Sequence, residues 1–245
     1  YYVNGEYEKA ILIYQDLSNK SLASYYNPFF LSLMKVEKYK EAKVLSNKML
    51  SKYREQISYR IDFGIANEKI GNNREAKKQY KYVFERMNGT MNQSNFLSSR
   101  FISHEMYNHA LDIYFESEKI NKKANFTIKK AEIYSYLGQD ELMIKEYLAS
   151  IIKQPSSRRQ VTSKIQRFID NDGIHNENNY KLVKHQLLLV INNEKNNYDF
   201  SEILIWLYMQ HSDFYMALIQ AKALDKRKSG TGSERLRPCT RPQRR

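Results

Sequence analysis

The chain of 245 residues holds one cysteine, four prolines and eight glycines. The single thiol, Cys239, stands close to the end. The body of the chain therefore contains no disulfide, no cysteine-ligated zinc site and no catalytic cysteine. So few glycines and prolines argue against a fold made of many tight turns, such as a β-sandwich or barrel. No apolar run approaches the ~20 residues that cross a bilayer as a helix. Glycine-rich phosphate loops and the nucleophile elbow are also missing. Lack of cysteine suits cytoplasm and periplasm equally, so the compartment stays open.

Charge of one sign is in excess: 40 Lys and Arg stand against 27 Asp and Glu, a net +13. Ser229–Arg245 holds five Arg and one Glu, leaving +9 on residues 1–228. Such a balance tolerates an acidic partner, an anionic surface or nucleic acid without selecting one. Lysines spread over solvated helix faces are the plainer explanation. Nucleic acid is thus compatible with the charge but not favoured.

Both ends differ from the middle. The opening Tyr1-Tyr2-Val3 lacks an initiator Met, and Asn4–Ala10 reads as the turn and second helix of a pair whose first helix is truncated. A signal peptide lost upstream fits this reading. Up to Lys228 the sequence is rich in Lys, Asn, Ile and Tyr. From Ser229 it changes to SGTGSERLRPCTRPQRR, where Arg replaces Lys and apolar periodicity stops. Residues 229–245 are expected to be a disordered, non-native basic tail, and residues 1–228 the folded array.

Within the body one pattern recurs: a turn residue, a small residue five positions on, then commonly an aromatic one helical turn later. It appears as Gly5–Ala10–Tyr14, Glu37–Ala42–Ser46, Gly71–Ala76–Tyr80, Glu105–Ala110–Tyr114, Gly138–Met143–Tyr147 and Ser212–Ala217–Ala221. The middle position repeats at spacings of 32, 34, 34, 33 and 74, the last being about two periods. A degenerate copy therefore belongs near 157–193, its first helix ending at Asn171-Asp172-Gly173. Its second helix carries Leu182, Val183, Leu187, Leu188 and Ile191.

Physical chemistry gives each residue type a role. Two antiparallel helices approach closely only where one presents a small side chain, and the aromatic one turn on fills the wider gap beside it. Glycine at the turn adopts the left-handed conformation that ends the first helix. First helices repeat a version of this in Phe63-Gly64 and in Lys130-Ala131 with Tyr134. The first helix of the fourth unit, near Gln93–His104, is polar and weakly patterned. In the last unit Ile203, Leu204, Trp206 and Leu207 precede Phe214–Ile219.

Period, spacing and helix–turn–helix unit together resemble the tetratricopeptide repeat. Pro155, twelve residues past Met143, matches a proline the family favours. A looser likeness in layout and composition is to long exported repeat proteins of Bacteroidetes bacteria. The resemblance implies an all-α, right-handed α-solenoid of about six to seven antiparallel helix pairs, with first helices lining a concave groove. It also implies a protein-binding scaffold without cofactor or metal and without enzymatic activity. In relatives that hold chaperone tails, Lys and Asn of the first helices clamp a terminal carboxylate. The matching positions here are Asn27 and Leu31, Ile61 and Ile65, Asn95 and Ser99, Ile128 and Glu132. That clamp is absent. A peptide or helix held partly by apolar contact is expected instead, touching Asn27, Leu31, Ile61, Ile65, Asn95, Ile128, Glu132 and Trp206. The alternatives are an oligomerisation or docking module serving a C-terminal region, and weak nucleic-acid binding.

Apparent chemical motifs fail on geometry. His104-Glu105 and His109 suggest a zinc protease, but a five-residue step turns a helix by ~500°, leaving the two rings about 140° apart. Asp170-Asn171-Asp172-Gly173 suggests a calcium loop. Phe168 and Asn179 stand where oxygen ligands are required. His175, His185 and His211 have no cysteine or paired carboxylate in register.

Overall fold

The structure, a computed structural model, describes residues 1–171, 174–194 and 197–232. After a short helical turn at Tyr2–Asn4, thirteen α-helices follow among these residues. The first, α1 (Tyr7–Lys20), precedes three hairpins: α2 (Leu22–Lys35) with α3 (Tyr39–Lys52), α4 (Ser58–Lys69) with α5 (Asn73–Arg86), and α6 (Met91–Ile102) with α7 (Tyr107–Ile120). Three more pairs come next: α8 (Thr127–Tyr136) with α9 (Asp140–Lys153), α10 (Arg158–Ile169) with α11 (Glu177–Asn193), and α12 (Asp199–Gln210) with α13 (Phe214–Gly232). The chain forms two compact units, Tyr1–Phe126 and Thr127–Arg245. In the weakly patterned pair, α10 stops at Ile169. A two-residue antiparallel bridge then joins Asp170–Asn171 (β1) to Ile174–His175 (β2). Asp172 and Gly173 of the calcium-loop look-alike lie outside the described residues, as does Cys239.

The turns share one construction. Gly5, Glu37, Gly71, Glu105, Gly138 and Ser212, the six turn residues of the sequence repeat, all have positive φ between 58° and 83°. After each of the five turns that end a first helix, the next amide reaches back to a carbonyl five residues earlier. These bonds are Lys38 to Leu33 at 2.9 Å, Asn72 to Asn67 at 2.8 Å, Met106 to Phe101 at 3.0 Å, Gln139 to Tyr134 at 2.9 Å and Asp213 to Tyr208 at 2.9 Å. This is the Schellman closure, which needs a left-handed residue between the helix and the turn. Three of the six positions fill that place without glycine.

The core follows from the marker residues. Ala10, Ala42, Ala76, Ala110, Met143 and Ala217 are all buried. Tyr80, Tyr114 and Tyr147 are buried one turn beyond, whereas Tyr14 is half-buried beside Tyr25 and Phe29. Close approach is tightest at Gly64. A Cβ there would lie 2.5 Å from the Tyr80 ring, so α4 meets α5 through bare backbone. Phe30, Phe101, Phe126 and Phe200 are fully buried, each contributing about 1.5–3 kcal/mol of apolar burial.

The polar helix α6 packs through serines. Ser98 donates to the Ala110 carbonyl (3.2 Å), and Ser94 Oγ lies 2.6 Å from Ser117 Oγ while donating to the Thr90 carbonyl. Small hydroxyls satisfied in this way allow the same proximity as alanine, which explains the faint apolar pattern of this segment. No described helix is long and apolar enough to cross a membrane.

Candidate functional site

In unit Tyr1–Phe126 the first helix α4 bears directly on both α2 and α6. Asp62 on α4 is fully buried. Its Oδ2 accepts from Tyr26 Oη of α2 (2.7 Å) and from Arg100 Nη1 of α6 (3.0 Å). The Oδ1 atom has no hydrogen-bond partner among the described residues. Burial raises the Asp62 pKa, opposed by the Arg100 charge and the Tyr26 hydrogen bond. Tyr26 also meets Tyr59 edge-on (5.0 Å), and Phe30 of α2 meets His104, just past α6, at 5.7 Å. Helix α4 is thus enclosed by its neighbours, with seven residues from Ser58 to Asn67 buried.

This enclosure decides where the expected contact residues stand. Ile61 and Ile65 have no exposed surface, so they are interior packing residues and not lining; the expected groove is corrected at these two positions. They read as groove residues because nothing local in the sequence reveals that α2 and α6 close over α4. Asn27 is exposed and Leu31 half-buried. Asn95 is half-buried and accepts a hydrogen bond from Tyr114 Oη at 3.1 Å.

In unit Thr127–Arg245 the first helices are joined by ion pairs. Glu132 of α8 meets Lys164 of α10 at 3.0 Å and Lys129 of its own helix at 3.0 Å. Those two ammonium groups hold its carboxyl below the usual range against the opposing effect of burial. Arg158 of α10 bridges to Asp199 (2.8 Å) and Glu202 (2.9 Å) of α12. Glu132 therefore already has partners within the fold, while Ile128 and Trp206 are half-buried.

His104, His109 and His211 are packed as rings. His104 lies against Phe30, and burial together with the nearby charges of Lys35, Lys69 and Arg100 lowers its pKa to about 4. His109 stacks on Phe101 at 5.3 Å and meets Tyr80 edge-on at 5.0 Å. His211 stacks on Tyr180 at 3.9 Å, with Glu177 at 3.5 Å. The Asn179 side chain donates to the Phe168 carbonyl at 2.7 Å. Among the described residues no three His, Cys, Asp or Glu side chains converge as a metal site.

An open groove with an apolar floor and a mostly polar rim lies beside α2. A cavity of about 560 Å³ opens between α1 and α3, floored by Phe29 and Leu33 of α2 and Leu45 of α3, all buried. Val44, 58% exposed, forms one wall. Asp16, Glu41, Lys40 and Lys48 surround the opening with charges of both signs. Sequence reasoning did not single out this groove. Its one local signal is Val44, which is apolar on an otherwise polar face of α3.

Helix hairpins at a period of 32 to 34 residues, small residues buried at the marker and left-handed turns define the class. The chain is an all-α, tetratricopeptide-like protein. No family model matches the sequence, and no curated protein matches it. Among solved structures, one similar chain is from a crystal structure of MamA, at 13% identity and a TM-score of 0.33, covering 79% of this chain and 95% of that one. Another is the C-terminal part of a TPR repeat-containing protein from Cytophaga hutchinsonii, at 15% identity and a TM-score of 0.38, with coverage of 92% and 90%. A third comes from the APC/C hetero-tetramer Cut9-Hcn1, at 13% identity and a TM-score of 0.37. It is covered over 44% of its length by 91% of this chain.

Proposed function

We propose that the chain is a non-catalytic scaffold that binds a protein partner as a peptide or helix. The groove between α1 and α3 is its main contact surface. The observation that carries this reading is the buried floor of Phe29, Leu33 and Leu45 beneath an exposed Val44 wall. A floor held by the helix framework admits an apolar side chain without rearrangement, and the mixed charges around it orient the flanking residues. On the opposite face of α2, Asn27 is exposed and Leu31 half-buried, and both remain accessible for a secondary contact.

The test is selection of a random peptide library on the intact chain, followed by titration of the enriched peptides. Val44→Glu is expected to weaken binding at least tenfold and to leave helix content unchanged. Bound peptide should shift the NMR signals of Phe29, Leu33 and Leu45. Peptides that bind the V44E chain equally well, or that shift only residues after Thr127, overturn the assignment.

A further inference from the structure

Helix α13 carries an apolar surface that its place in the repeat does not explain. Phe214 is 60% exposed, Tyr215 73%, Leu218 54% and Ile219 43%. Ala217 and Leu224, on the other side of the helix, are buried. The position one past the marker is buried in three other marked helices, as Ile11, Leu111 and Ile144. A following helix would cover Leu218 in the same manner. The position two before the marker behaves differently. It holds Glu8, Lys40, Arg74, Asn108 and Glu141 elsewhere, but Tyr215 here. Stacking of another repeat buries one side of this surface and leaves Tyr215 in water.

We infer that Phe214, Tyr215, Leu218 and Ile219 of α13 form a self-association surface that packs against the same surface of a second copy of this chain. Three features favour a copy over another partner. Residues 214–221 carry no charge, so two copies meet over that stretch without desolvating an ion, with the exposed Lys222 one turn past Leu218 at its edge, although the whole chain is +13. The surface is complementary to itself. An aromatic pair on one turn and an aliphatic pair on the next let a two-fold axis set Phe214 and Tyr215 over Leu218 and Ile219 of the other copy. The area is sufficient. At roughly 150–250 Å² per aromatic side chain the four residues expose on the order of 500 Å². Two copies then bury about 1,000 Å², the lower bound for a specific interface.

The experiment is sedimentation equilibrium of the full chain over a hundredfold range of concentration. The mass should rise from 29.2 kDa toward twice that value. Tyr215→Arg with Ile219→Lys, which transplants Arg74 and Lys78 of α5, should hold the chain monomeric over the same range. Because both side chains are exposed, circular dichroism should not change, and the thermal midpoint should match the parent's at concentrations low enough for the parent to be monomeric. Val44→Glu should leave the dimer intact, separating this surface from the α1–α3 groove. A monomer at every concentration overturns the inference. So does a dimer that the double variant does not dissociate.

Discussion

Replacing Glu37, Glu105 and Ser212 by glycine is expected to stabilise the protein, although each substitution removes a side chain. All three sit at φ near 60°, where a Cβ crowds the backbone. That conformation costs an L-residue about 1–2 kcal/mol. Glycine escapes the cost but has more freedom in the unfolded chain, which returns about 0.4–1 kcal/mol. The net gain is roughly 0.5–1 kcal/mol per site by the same two terms. The three turns belong to different hairpins, so their gains should add, to about 1.5–3 kcal/mol. For a chain of this length that corresponds to roughly 3–12 °C in Tm.

The converse substitution isolates the cause. An added Cβ at Gly5, Gly71 or Gly138 meets nothing within 4 Å. Gly71→Ala therefore introduces backbone strain without a clash and should lower stability by about 1 kcal/mol. Thermal and urea unfolding followed by circular dichroism measure both series. A triple glycine variant no more stable than the parent, or a neutral G71A, would refute the assignment of strain to these turns.

Gly64→Ala should destabilise by about 1–3 kcal/mol despite the better helix propensity of alanine, because the new Cβ meets the Tyr80 ring. The companion Tyr80→Leu should recover part of the loss in chemical denaturation. Arg100→Ala leaves Asp62 buried and unpaired by charge, with an expected cost of about 3–5 kcal/mol. The Asp62 pKa is already raised, so this carboxyl favours folding most when protonated and that contribution is lost as pH rises through its folded value. The R100A deficit should therefore be full at neutral pH and shrink on acidification, as urea midpoints from about pH 7 down to about pH 4 would record. His104 has the opposite sign. Its folded pKa is lowered to about 4 from 6.5, so its contribution is complete above 6.5 and lost as pH falls toward 4. NMR titration of the imidazole checks this, and a value near 6.5 would disprove its burial among cations.

The repeat was legible because it is periodic. Ala42, Ala76 and Ala110 mark it through a spacing that survives even where the turn residue is Glu37 or Glu105. The unmarked pair was legible by arithmetic alone, and α10–α11 stands within it. What stayed hidden depends on residues far apart in sequence. Tyr26, Asp62 and Arg100 are 36 and 38 residues apart and carry different side chains, so no period joins them. Asp62 between Ile61 and Phe63 was the one hint, a carboxylate flanked by apolar residues. Ile61 and Ile65 look alike whether they line a groove or fill an interior, since hydrophobicity does not reveal which helix lies across them. The α1–α3 groove is equally silent, because its floor comes from α2 and its exposed wall from α3.

The contact of α2 with His104, in the turn just past α6, also bears on how this array can be edited. In an ordinary solenoid each repeat touches only its neighbours, so units are deleted or transplanted one at a time and stability is tallied as a linear chain. Here Phe30 and His104 meet although an entire hairpin separates their helices in the chain. Excising α4–α5 would strand Tyr26 and Arg100, and removing α6–α7 would uncover α4 to water. Shuffling experiments should therefore treat Tyr1–Phe126 as one indivisible cassette. Within it, the amide protons of α4 should be the last to exchange with deuterium.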